Sequence, residues 1–104
     1  MDEFKVIFAP QAGRDLKSIT FYIARHSNSG IAKRFGNQLI DRALTLATLP
    51  KRGRVVPELS DPNVREIIFR SYRIVYRIRA EYVEVIRFWH AARGAPEIDS
   101  DEFH

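Results

Sequence analysis

The chain of 104 residues predicts an α+β fold, an N-terminal strand and an α-helical hairpin packed on a twisted antiparallel β-sheet. Three observations carry that prediction. Through residues 10–49 apolar side chains recur every three or four positions, the spacing of one helix face. Beyond Gly53 the period falls to two, because side chains alternate faces along a strand. The connections after residue 63 are so short that consecutive strands must pair as antiparallel neighbours.

The first strand is Lys5-Val6-Ile7-Phe8, an apolar run stopped by Pro10. Pro10 suits the first turn of a helix, where its missing N–H costs nothing. Ala12, Leu16, Ile19 and Ile23 then share a stripe, with Arg14, Asp15 and Lys17 between them. The turn formers Ser27-Asn28-Ser29-Gly30 should end this helix and supply the N-cap of the next. Ile31 or Ala32, Phe35, Leu39, Ala43 and Leu46 mark the second helix, which Pro50 stops. A short turn makes the pair antiparallel, so residues 10–49 form a helical hairpin whose apolar stripes need the sheet as cover.

Four strands follow, over residues 54–58, 64–70, 72–79 and 82–89, with a turn at Ser60-Asp61-Pro62-Asn63. In the third of these, Tyr72, Ile74, Tyr76 and Ile78 point one way and suit burial. Arg73, Val75, Arg77 and Arg79 point the other way and present three guanidinium groups in a row, which implies an anionic partner. A two-residue turn at Ala80-Glu81 would pair Arg79 with Tyr82, Arg77 with Glu84, Val75 with Ile86 and Arg73 with Phe88. That register places Arg73, Arg77 and His90 on one face, with Arg77 and Glu84 as a cross-strand ion pair.

The charge is uneven. Residues 1–50 carry +3, residues 51–93 carry +5 and residues 94–104 carry −4. This divides the chain into a single domain over residues 1–96 and an acidic tail over 97–104, with the basic middle block as a binding face. Cysteine is absent, which excludes disulfides and thiolate metal sites. His26, His90 and His104 stand in no carboxylate cluster, so no metal and no cofactor are expected. No apolar run approaches the ~20 residues that span a bilayer. Met1-Asp2-Glu3 lacks a signal-peptide pattern, and a cytoplasmic location is expected.

Val56-Pro57-Glu58-Leu59, Val64-Arg65-Glu66-Ile67, Tyr72-Arg73-Ile74-Val75-Tyr76-Arg77 and His90-Ala91-Ala92-Arg93, in that order behind a helical hairpin, resemble the RelE/ParE toxin superfamily of toxin–antitoxin modules. The resemblance covers residues 4–95 and is nearer to the ParE-like branch, given the strand that runs into His-x-x-Arg. It implies the toxin of a type II module, inhibiting DNA gyrase and bound by a ParD-like antitoxin that folds around it as a hetero-oligomer. The alternative it implies is a RelE-like, ribosome-dependent mRNA endonuclease.

Cleavage through a ribose 2′-OH needs a base at the hydroxyl, a cation on the phosphate and an acid at the leaving oxygen. Glu58, Arg73 and His90 match those roles by type. Against catalysis, no tyrosine follows Tyr82, whereas several nuclease members carry one near the C-terminus. As a binding surface for antitoxin or target the resemblance implies Arg65, Arg73, Arg77, His90 and Arg93, with antitoxin covering Arg73 and Arg77. Plainer readings stand beside these: His90 as a hydrogen-bonded strand-end histidine, Arg93 as a sheet-capping residue, Arg65 and Glu66 as partners of neighbouring charges, and Phe88 and Trp89 as core and groove lining.

Overall fold

Capping, close backbone approach and face alternation account for the architecture of the computed structural model, which describes residues 3–98. Strand β1 (Lys5–Phe8) leads into helix α1 (Pro10–His26), which starts with proline in its first turn. Asn28 separates α1 from α2 (Ser29–Leu44), its Oδ1 accepting from the Ile31 N–H at 2.8 Å. Gly36 lets the helices touch: a Cβ there would lie 2.9 Å from Thr20 Cγ2.

The second helix stops earlier than expected. A 3₁₀ turn, Thr45–Ala47, replaces the last α-helical turn before Pro50. The Thr45 hydroxyl donates to the Arg42 carbonyl at 2.6 Å, and the tighter winding seats Leu46 fully in the core.

Strands β2 (Arg54–Val55), β3 (Val64–Phe69), β4 (Tyr72–Ile78) and β5 (Tyr82–His90) complete one sheet in the order β1-β5-β4-β3-β2. Its meander is antiparallel as expected, but β1 runs parallel to β5, so the sheet is mixed. The hairpin and three strands intervene between β1 and β5, and so long a connection permits parallel pairing. Strand β2 is shorter than residues 54–58 because Pro57 has no N–H to donate after Val56 bonds Val64.

The β4–β5 register holds as far as Arg77 opposite Glu84, then departs from expectation. Val85 faces Tyr76 while Arg87, not Ile86, faces Val75, so Ile86 is the extra residue of a β-bulge. Arg73 accordingly faces Trp89 rather than Phe88, and His90 faces Tyr72. A slip of one residue moves side chains to the other face. His90 therefore shares the helix-facing side with Tyr72, not the side of Arg73 and Arg77.

Both sides of the sheet are covered. On the helix side Ile19, Leu39, Leu46, Ile74, Tyr76, Val85 and Phe88 form one core. On the other, Val56, Val64 and Val75 form a smaller one, packed against by Leu59 and Ile98. Of the expected acidic tail, Glu97 and Ile98 belong to the described residues; residues 99–104 lie outside them.

Candidate functional site

The back face of β4 was expected to be an open row of cations; it is a closed, neutralised network. Arg73 is only 6% exposed and Arg77 only 8%. Arg73 Nε donates to Glu66 Oε1 at 2.6 Å, while its Nη2 and Nη1 donate to Glu58 Oε1 and Oε2 at 2.7 and 3.2 Å. Its Nη1 also donates to the Gly94 carbonyl at 3.0 Å. Glu66, fully buried, is shared: its Oε2 accepts from Arg54 Nε at 2.7 Å. One carboxylate thus lies between two guanidinium groups, and a second closes a fork on the more buried one, Arg73.

The expected ion pair of Arg77 with Glu84 is displaced. Arg77 Nη1 lies 3.4 Å from Asp61 Oδ2, while Glu84 Oε1 accepts from Arg79 Nη2 at 3.2 Å. Facing pairs in register need not be bonded pairs when a long side chain reaches a loop.

The electrostatics follow the geometry. The hydrogen bond from Arg73 holds the Glu58 carboxyl below the ordinary glutamate value, and the bond to Glu58 raises the already basic Arg73 further. A carboxylate gripped at both oxygens and made less basic is poorly suited to abstract a proton.

Two segments cover this face. The loop after β2 is braced by Arg65, whose Nε donates to the Pro62 carbonyl and Nη1 to the Gly53 carbonyl, each at 3.0 Å. Gly53, just before β2, is obligatory, because a Cβ would fall 2.5 Å from the Glu66 carbonyl oxygen and 2.7 Å from the Tyr76 hydroxyl. The chain after β5 turns through the 3₁₀ segment Ala91–Arg93 to Gly94, which has φ +81°. The Gly94 carbonyl accepts from Trp89 Nε1 at 3.1 Å as well as from Arg73. Arg93 is exposed and lies 4.0 Å over the Trp89 ring.

Of the residues singled out from sequence, Glu58 and Arg73 meet directly. His90 does not join them. Its Nδ1 accepts from the Ala92 N–H at 3.1 Å, the plainer strand-end reading, and its ring meets Tyr72 edge-on at 5.0 Å on the opposite side of the sheet. Burial, and then neighbouring Tyr22, push the Tyr72 phenol up. Among the described residues no cluster of His, Cys, Asp or Glu suits a metal ion, and no helix is long and apolar enough to cross a membrane.

Glu66 pairs with neighbouring charges as its plainer reading had it, though not as a buried centre, and the role of Asp15 escaped the sequence reading altogether. Glu66 shares a face with Val64, so a buried Val64 already implied a covered carboxylate needing cations. Asp15 ties α1 to β5, its Oδ2 accepting from Arg87 Nε at 2.8 Å and from the Phe88 N–H at 3.0 Å. Nothing in the local sequence links Asp15 to Arg87, which lies seventy-two positions away. Elsewhere, Leu16, Thr20, Phe21, Ala32, Gly36 and Ile40 line an apolar groove along the hairpin, with Lys17 and Lys33 beside it. Phe21 is 64% exposed there.

The family model for the ParE toxin of the type II toxin–antitoxin system parDE matches residues 6–94. The structure is similar to that of the chromosomal ParDE toxin–antitoxin system from P. aeruginosa, with TM-score 0.73 and 15% identity, covering 84% of this chain and 95% of that one. It is also similar to the toxin–antitoxin complex RelBE2 from Mycobacterium tuberculosis, with TM-score 0.65 and 24% identity, covering 88% of this chain and 95% of that one. At these identities the two likenesses are of fold. A search of curated proteins gives no match.

Proposed function

We propose, because the chain belongs to the ParE toxin family of type II toxin–antitoxin systems, that it is the toxin of such a module, inhibits DNA gyrase in the cytoplasm and is neutralised by a cognate antitoxin. One observation favours gyrase inhibition over RNA cleavage. The base, cation and acid of the nuclease reading do not converge: Glu58 is locked on Arg73, while His90 stands across the sheet against Tyr72. With Glu58 and Arg73 bound to each other and His90 apart from both, this face supports a binding role better than cleavage.

The antitoxin reading draws on the hairpin. The apolar groove with Lys17 and Lys33 beside it suits the apolar stripe of an acidic amphipathic helix. Arg73 and Arg77 are too buried to be the contact first expected, so exposed Arg93 is the better candidate of that set.

The test combines two assays on the same protein. Incubated with gyrase and plasmid DNA, the purified toxin should lower supercoiling and accumulate cleaved DNA, and expression should leave mRNA 5′ ends unaltered. Unchanged gyrase activity, together with codon-positioned mRNA cuts that vanish in His90→Ala, overturns this reading in favour of the nuclease.

A further inference from the structure

Where the β3–β4 turn closes the sheet, Phe69, Tyr72 and His90 are register partners on three adjacent strands. They form a transverse row spanning two strand spacings, about 10 Å, on the helix-facing side. Tyr72 and His90 are half-buried rather than sealed in the core. Over the Phe69 end stand two guanidinium groups, Arg42 from α2 at 4.7 Å from the ring centroid and Arg70 from the turn at 5.3 Å. Both arginines are exposed.

These two cations differ from the arginines of the back face. Arg54, Arg73, Arg77, Arg79 and Arg87 each hold a carboxylate. Arg42 and Arg70 hold none among the described residues; their contacts are to the aromatic ring. An arginine laid on a ring keeps its N–H edge directed outward, in the fork that matches a phosphate. Tyr22 adds an exposed ring from α1: it is stacked on His26 at 4.0 Å and is 60% exposed, so one π-face remains available.

We propose that this end of the sheet binds single-stranded nucleic acid, with Arg42 and Arg70 on the backbone phosphates and the rings of Tyr22, Tyr72 and His90 against unpaired bases. Paired phosphate contacts beside stacking rings are the elements by which single strands are held without sequence preference. An acidic peptide would satisfy the arginines but leave the aromatic row without a planar partner. This site is independent of the gyrase reading and is measured with gyrase and antitoxin absent, so either can fail alone.

The probe is a fluorescein-labelled oligothymidylate of twelve nucleotides, followed by anisotropy with the full chain. Two phosphate contacts on a single strand predict a salt slope of about −1.4, hence roughly sevenfold weaker binding at 200 than at 50 mM salt. Arg42→Glu with Arg70→Glu should abolish that slope and weaken binding by about tenfold or more. Tyr22→Ala should weaken binding by about tenfold while leaving the slope intact. Should the double charge reversal fail to fold, Arg42→Gln with Arg70→Gln is read in the same way. Absence of binding at 50 mM salt overturns the proposal, as does binding indifferent to the arginine substitutions. Oligoglutamate competing as well as unlabelled oligothymidylate overturns it too, and assigns the surface to an acidic polypeptide.

Discussion

The two faces of strand β4 are both buried, yet they are held by different physics. Toward the helices, Ile74 and Tyr76 leave water for an apolar core, a gain that is non-directional and scales with area. Away from the helices, Val75 sits between Arg73 and Arg77, whose charges are buried only because carboxylates come with them. A buried ion pair adds little net stability over apolar packing, but removing one partner leaves a charge stranded. One face therefore tolerates change in proportion to volume; the other is all or nothing.

The sharpest way to break that contrast is Arg73→Ala, which strands Glu66 with Arg54 alone and frees Glu58. Urea denaturation should show a loss of about 3–5 kcal/mol. A loss under ~1 kcal/mol would mean that the network is not what holds the back face. Ile74→Ala on the opposite face should cost about 2–5 kcal/mol by the same measurement, set by the cavity left behind. Charge content distinguishes the two further: the Arg73→Ala loss should shrink as pH falls through the lowered Glu58 value, and the Ile74→Ala loss should not.

A residue on neither face sets the baseline. Asn28→Ala removes the N-cap of α2 and should cost about 1 kcal/mol without altering the acid dependence. The smallest effect belongs to Glu58 at the rim of the network. Its carboxyl is held below its ordinary value of 4.5, so the folded state favours the ionised form. That contribution is complete above the ordinary value and disappears as pH falls through the lower folded value. Stability curves of the wild type and Glu58→Gln should therefore separate above about pH 5 and converge in acid. Curves that stay parallel throughout would place the Arg73 bond outside the stability of the fold.

Much of this was legible in the chain. Pro10, the Ser27-Asn28-Ser29-Gly30 cluster and the helical stripes located α1 and α2 closely, because caps and turn residues act within a few positions. The alternation from Tyr72 to Ile78 also assigned the correct residues to each face of β4. What that alternation could not give was the environment of the second face. Three arginines in a row look the same whether solvent or a folded loop lies opposite, and Glu58 and Glu66 reach Arg73 across fifteen and seven positions.

The misplaced His90 left only an ambiguous trace in the chain. Val85 and Ile86 are consecutive apolar residues at the bulge, but so are Phe88 and Trp89 where the register is regular, because β5 is covered on both sides. Counting Ile86 as an ordinary pleat position carried His90 to the wrong side. The parallel partnership of β1 and β5 left no such trace, because adjacent strands far apart in sequence share no turn that would record their direction.

By itself the sequence determined the α+β class, the helical hairpin, the identity of the two faces of β4 and the family. Those properties rest on interactions between residues a few positions apart, or on residue types in fixed order. Only the tertiary structure decided which cations are neutralised, which remain on the surface and which side of the sheet His90 occupies. A charge's role is set by whatever the fold brings within a few ångströms of it, and that distance is fixed by the packing of segments remote along the chain.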